Sequence, residues 1–227
     1  MNMRRDEVVI GSRVISGAPR RAWMAAAAIA MAAAGLALSG WFSAALADGD
    51  PMSVTQQTVN QALSVLRNRQ LVLADRQQQL RRIVEATFDY TEMSRSALGY
   101  HWKEISPDQQ QEFSSVFTTF IEDSYLAKIN SYSNQQVEFL RATSDDADYA
   151  QVSTNIVDKD QQPISVNYRL LNTGGAWKIY DVDVDGISII ANYRNQFNRV
   201  MNNQGYATLI KDLKSKQAAL AASLVAH

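Results

Sequence analysis

The 227-residue chain contains no cysteine, which excludes disulfide stapling, a thiol nucleophile and a lipidated N-terminal cysteine. Stability therefore has to come from packing. Histidine is nearly as scarce, with His101 and the terminal His227 the only two, and neither stands in an HxxxH or HxH spacing that would hold a metal. No serine lies in a G-x-S-x-G elbow, and no glycine-rich phosphate loop is present. Internal repeats and low-complexity linkers are absent as well. A dominant charge of one sign is also missing: 22 basic residues face 23 acidic ones, so nucleic acid, whose binders concentrate positive charge, is not an expected partner.

What is present begins with an export segment. Arg4, Arg5, Arg13, Arg20 and Arg21 form a basic leader, Ala22 to Leu38 an apolar stretch, and Ala45-Leu46-Ala47 the small residues of a cleavage site. Ala22 to Ala47 carries no charge and is long enough to span a bilayer, but Gly35, Ser39, Gly40 and Ser43 dilute an already weakly apolar alanine run. A cleavable signal peptide over residues 1–47 is the expectation, with Asp48 the first mature residue. Removing it leaves 17 basic against 21 acidic residues, and enough chain for a single domain over 48–227.

The hydrophobic period then divides the mature chain into three blocks. Residues 53–132 read as helices, with Val59, Leu63 and Leu66 on one face and Leu80, Ile83, Val84 and Phe88 on another. Ser106-Pro107-Asp108-Gln109 is a capped helix start, opening onto Phe113, Val116, Phe117, Phe120 and Ile121. From residue 135 the period is two. A short strand at Val137 and Phe139, then Tyr149 to Val157, Ile164 to Leu170 and Ala176 to Val184, with a tight turn at Asn172-Thr173-Gly174-Gly175, predict a four-stranded antiparallel meander. After Gly186 the helical period returns in two helices separated at Gly205, with an alanine-rich tail expected to fray from about Ala218. The fold class is α+β.

Asp181-Val182-Asp183-Val184-Asp185-Gly186 matches the opening of a calcium-binding loop, but the twelfth position is Asn192 where a bidentate glutamate is needed. The preceding residues read as strand, so the aspartates are expected on its solvated side. The remaining feature is a surplus of apolar surface. Val152, Val166, Tyr168, Leu170, Tyr180 and Val182 fall on one sheet face, and the helices offer Phe117, Phe120, Tyr193 and Phe197 to cover it. An ordinary core and a ligand cavity give the same pattern, so periodicity leaves both open.

Two sets of residues carry a family resemblance. The first is Phe88-Asp89, Met93, Ala97-Leu98-Gly99, Trp102, Ser106-Pro107, Gln110, Phe113, Phe117 and Tyr125. The second runs Trp177-Lys178-Ile179-Tyr180-Asp181-Val182, Gly186-Ile187-Ser188, Asn192-Tyr193-Arg194 and Gln196-Phe197. In order and spacing they resemble the MlaC (toluene-tolerance, Ttg2-type) family of periplasmic phospholipid-binding proteins. The resemblance implies a curved sheet closed by helices around an acyl cavity. It implies a non-enzymatic periplasmic carrier with phospholipid as cargo and no cofactor or metal. The implied partners are an outer-membrane lipoprotein complex (MlaA-like) and an inner-membrane MCE-domain ABC transporter (MlaD-containing), and the implied role is maintenance of outer-membrane lipid asymmetry. On this reading the ten apolar and aromatic residues named above line and close the cavity, and Arg194 contacts a head group or an acidic partner. The competing classes are a chaperone-like module for apolar polypeptide and a hydrolase, the latter without a motif to support it.

Overall fold

The computed structural model describes residues 49–126, 135–144, 146–158 and 162–225, so the export segment, its cleavage point before Asp48, and His227 lie outside the described residues. The helical half contains α1 (Pro51–Arg67), α2 (Leu73–Thr87), α3 (Tyr90–Leu98), a 3-10 turn over Gly99–Lys103, and α4 (Pro107–Leu126). Side-chain caps set several starts. The Asp50 carboxylate accepts from the Met52 and Ser53 amides at 2.9 and 3.1 Å, and Asp89 accepts from Glu92 at 2.9 Å. At α4 the expected capping box forms: Ser106 Oγ accepts from the Gln109 amide while the Gln109 side chain accepts from the Ser106 amide.

The sheet is an antiparallel meander in the order β1 (Gln136–Ser144), β2 (Tyr149–Val157), β3 (Ile164–Thr173), β4 (Ala176–Val184) and β5 (Ile187–Ser188). It has one strand more than the period predicts. Asp185 (φ 50°) and Gly186 (φ 82°) make a two-residue turn, and the two residues of β5 that follow are too few to show an alternation. Gly174 and Gly175 likewise both take positive φ in the β3–β4 turn, as its sequence requires. The last element, α5 (Ile189–Val225), is broken at Gly205, where φ 79° and ψ 176° interrupt the helix between the two expected segments. The helix runs on through the alanine-rich stretch from Ala218 to Val225, in keeping with the high helix propensity of alanine.

α1 packs on β1 and β2, while α2, α3 and α5 pack on β4; α4 lies against α5, α3 and α2. Among the described residues, no helix backbone comes as close to β3, the strand between these two groups, as these helices do to their own strands. Helices and sheet share one continuous apolar core. No helix among the described residues is long and apolar enough to cross a membrane.

Candidate functional site

Strand register arranges the apolar sheet face as a grid. Val152, Tyr168 and Val182 form one row across β2, β3 and β4; Thr154, Val166 and Val184 form the next; Ala150, Leu170 and Ile179 form the third. All nine residues are at most 5% exposed. Period-two counting places Tyr180 on this face, and the structure corrects that. A bulge in β4 shifts the register so that Leu170 faces Ile179 while Arg169 still faces Asp181. Ile179 therefore holds the core position, and half-buried Tyr180 packs edge-on to Tyr149, ring centroids 6.1 Å apart. One extra residue flips every side chain beyond it, and no pattern count reveals where it lies.

The bulge has a visible support. Phe88, at the end of α2, bridges to Ile179 in parallel register, and the Asp89 amide donates to the Ile179 carbonyl at 2.9 Å. The same Asp89 then caps α3. This gives the Phe88-Asp89 pair a physical role: it ties the helical half to the centre of β4.

Against the sheet, α4 and α5 contribute an aromatic cluster. Phe117 stacks on Phe113 at 5.3 Å and meets Tyr193 and Phe197 edge-on at 5.5 and 5.3 Å; Phe120 meets Tyr193 at 5.8 Å. Edge-to-face contacts at these distances are favourable beyond the area they bury. Burial pushes the Tyr193 phenol up to about 12, so it stays a neutral donor, with Ser124 as its hydrogen-bonding neighbour. The structure thus brings Phe117, Phe120, Tyr193 and Phe197 together, as the helical spacing predicts.

On the opposite face the expectation of solvated aspartates fails. Asp181 and Asp183 are 3% and 6% exposed. Asp181 accepts from Arg169 Nη1 at 3.0 Å, from Ser188 Oγ at 2.6 Å and from the Ile190 amide at 3.1 Å; Asp183 accepts from the Gly186 amide at 3.0 Å. These are donors, whereas a calcium loop needs further acceptor oxygens, so the arrangement is a fastening for the start of α5. No group of three or more metal-ligating side chains occurs among the described residues.

Arg194 is also committed. It is exposed on α5, yet its Nε donates to the Ser96 carbonyl at 2.6 Å, in the last turn of α3, where a cation is favourably placed. Its stem lies over Gly99, where a Cβ would come within 3.3 Å of Arg194 Cδ at a backbone φ of +59°. Glycine at 99 and arginine at 194 form one helix-to-helix junction. His101 is packed, 4% exposed, with Nδ1 2.6 Å from Glu104 and Nε2 3.0 Å from Asn198 Oδ1.

These features define an α+β domain with one broad apolar sheet face, covered by aromatic helices and locked by a polar network behind it. Residues 56–215 match the family model described as MlaC protein. The chain is 26% identical over 180 residues to the intermembrane phospholipid transport system binding protein MlaC of Haemophilus influenzae, spanning 75% of this chain and 83% of that one. It is 30% identical over 127 residues to the toluene tolerance protein ttg2D of Pseudomonas putida, spanning 56% and 59%. Its fold matches that of a phospholipid-binding protein from Ralstonia solanacearum solved in complex with a phospholipid. There the TM-score is 0.68 at 22% identity, covering 76% of this chain and 99% of that structure. The chain belongs to the MlaC family.

Proposed function

We propose that this protein is a periplasmic carrier of glycerophospholipid. The observation that carries the reading is the continuous nine-residue apolar face across β2, β3 and β4, in a chain whose family relatives are named for phospholipid transport. Val152, Val166, Tyr168, Leu170 and Val182 line the acyl site, and Phe117, Phe120, Tyr193 and Phe197 close it; Tyr180 is left out because it stands on the other face, and Arg194 positions α5.

The energetics suit such a task. About 30 methylenes of two acyl chains, at ~0.8 kcal/mol each, make escape into water costly by roughly 24 kcal/mol. A bilayer offers the tails an equivalent environment, so handover at a docked membrane partner is close to balanced while loss in transit is not. Direction then comes from outside the chain. The partners in this reading are an outer-membrane lipoprotein complex and an inner-membrane MCE-domain ABC transporter, and the role is upkeep of outer-membrane asymmetry. The chain itself performs no catalysis.

The test is organic extraction and mass spectrometry of protein purified without detergent. Phospholipid near one per chain is expected for wild type, and its loss for Val152→Trp and Val166→Trp variants that still unfold cooperatively. Wild-type protein that is empty of lipid but suppresses aggregation of unfolded chains overturns the reading in favour of a chaperone.

A further inference from the structure

Tyr168 occupies the middle of the nine-residue grid, between Val152 and Val182, and is fully shielded from water. Its hydroxyl has no hydrogen-bond partner. Thr154 stands beside it, near enough for its hydroxyl to pull weakly against the effect of burial on the phenol, but that hydroxyl is turned to donate to the Val166 carbonyl at 3.0 Å, and the phenol meets no partner in hydrogen-bonding geometry. A buried hydroxyl without an acceptor is destabilising, and a phenylalanine of the same shape would remove the cost. The residue is therefore poorly explained by packing alone. Its position adds to this: among the described residues, helices pack on β1, β2 and β4, and β3 lies between those strands.

We propose that the Tyr168 hydroxyl donates a hydrogen bond to an ester carbonyl oxygen of the bound lipid, and so sets a preference for ester-linked acyl chains over ether-linked alkyl chains. This rests on the phospholipid-carrier reading. The acceptor class follows from the surroundings. A glycerophospholipid offers phosphate oxygens and ester carbonyls, and the eight other grid positions are aliphatic residues and Thr154, with no cation among them. A phosphate placed there would be a desolvated, unpaired charge, whereas an ester carbonyl is neutral, accepts only, and sits at the root of the tails. Burial also holds the phenol far above its ordinary ionisation range, which keeps the proton on the oxygen.

The experiment uses the delipidated full chain and two phospholipids of identical head group and tail length, one diacyl and one dialkyl, in competition with a fluorescent lipid. Wild type is expected to bind the diacyl form about three- to ten-fold more tightly, the worth of one hydrogen bond. Tyr168→Phe should bind both forms alike, at the affinity wild type shows for the dialkyl lipid, with an unfolding midpoint equal to or above wild type. Tyr168→Leu serves the same comparison should the phenylalanine variant not fold. Ser94→Ala, which removes another buried unpartnered hydroxyl away from the grid, should keep the wild-type ratio. Equal wild-type binding of the two lipids, or an ester preference that survives in the Tyr168 variants, overturns the inference while leaving the carrier intact. Wild type that binds neither lipid overturns both.

Discussion

On one face of β4, Val182 and Val184 are shut from water by apolar neighbours; on the other, Asp181 and Asp183 are shut from it almost as completely by hydrogen-bond donors. The two aspartates are nearly as dry as the two valines, and the faces differ in what they tolerate. Dispersion and apolar burial have no direction, so one hydrocarbon can replace another against Val182 at little cost. A buried carboxylate needs each of its donors in place. In the proposed carrier the apolar face would exchange contacts with the cargo, and the polar face would hold α5 and β4 in a fixed relation.

The strongest way to break this contrast is to empty the polar face. Asp181→Ala removes the acceptor for the Ile190 amide, the Ser188 hydroxyl and Arg169 at once. The expected loss is about 3 kcal/mol, because a buried amide and hydroxyl are left unpaired while half-buried Arg169 regains water. Urea unfolding measures it. A loss below about 0.5 kcal/mol, the level of an ordinary surface change, would mean that the polar face is not a framework at all.

A smaller effect is expected where α5 meets α3. Arg194→Ala deletes the hydrogen bond to the Ser96 carbonyl and the stem over Gly99, for about 1 kcal/mol. Lipid recovered by extraction should stay at the wild-type level. Unchanged stability with lost lipid would return Arg194 to the head-group contact that its place in the family signature suggests.

The same contrast explains how much the sequence reveals. Strand limits at Tyr149–Val157 and Ala176–Val184 and the break at Gly205 are legible because a period of two and a glycine with positive φ leave marks in the order of residues. Val152, Val166, Tyr168, Leu170 and Val182 come out on one face for the same reason. Tyr180 does not, because the β4 bulge is fixed by the bridge from Phe88, a partner 91 residues away that no local period encodes. The burial of Asp181 and Asp183 is equally hidden, since alternation marks them only as polar and says nothing of Ser188 and Ile190 folding back over them. Arg194 reads as a free cation until the end of α3 is seen beside it.

The finest difference between the faces lies in their response to pH. Hydrocarbons do not titrate, so any carboxylate-range dependence from β4 belongs to its polar face. Burial raises the Asp181 carboxyl above its ordinary value of 3.8, against the opposing pull of Ser188, the Ile190 amide and Arg169. The folded protein then keeps this proton at pH values where the unfolded chain has released it. With more protons bound in the folded state, stability from this group is fully present below 3.8 and declines as pH rises through the raised value. Asp181→Asn keeps an acceptor for Ile190 and cannot titrate. Thermal unfolding of the two proteins between about pH 3.5 and 6 should therefore converge on the acidic side and show a flatter curve for the asparagine variant across that window. Parallel curves would show that Arg169 and the backbone donors cancel the effect of burial, making the polar face as indifferent to pH as the apolar one.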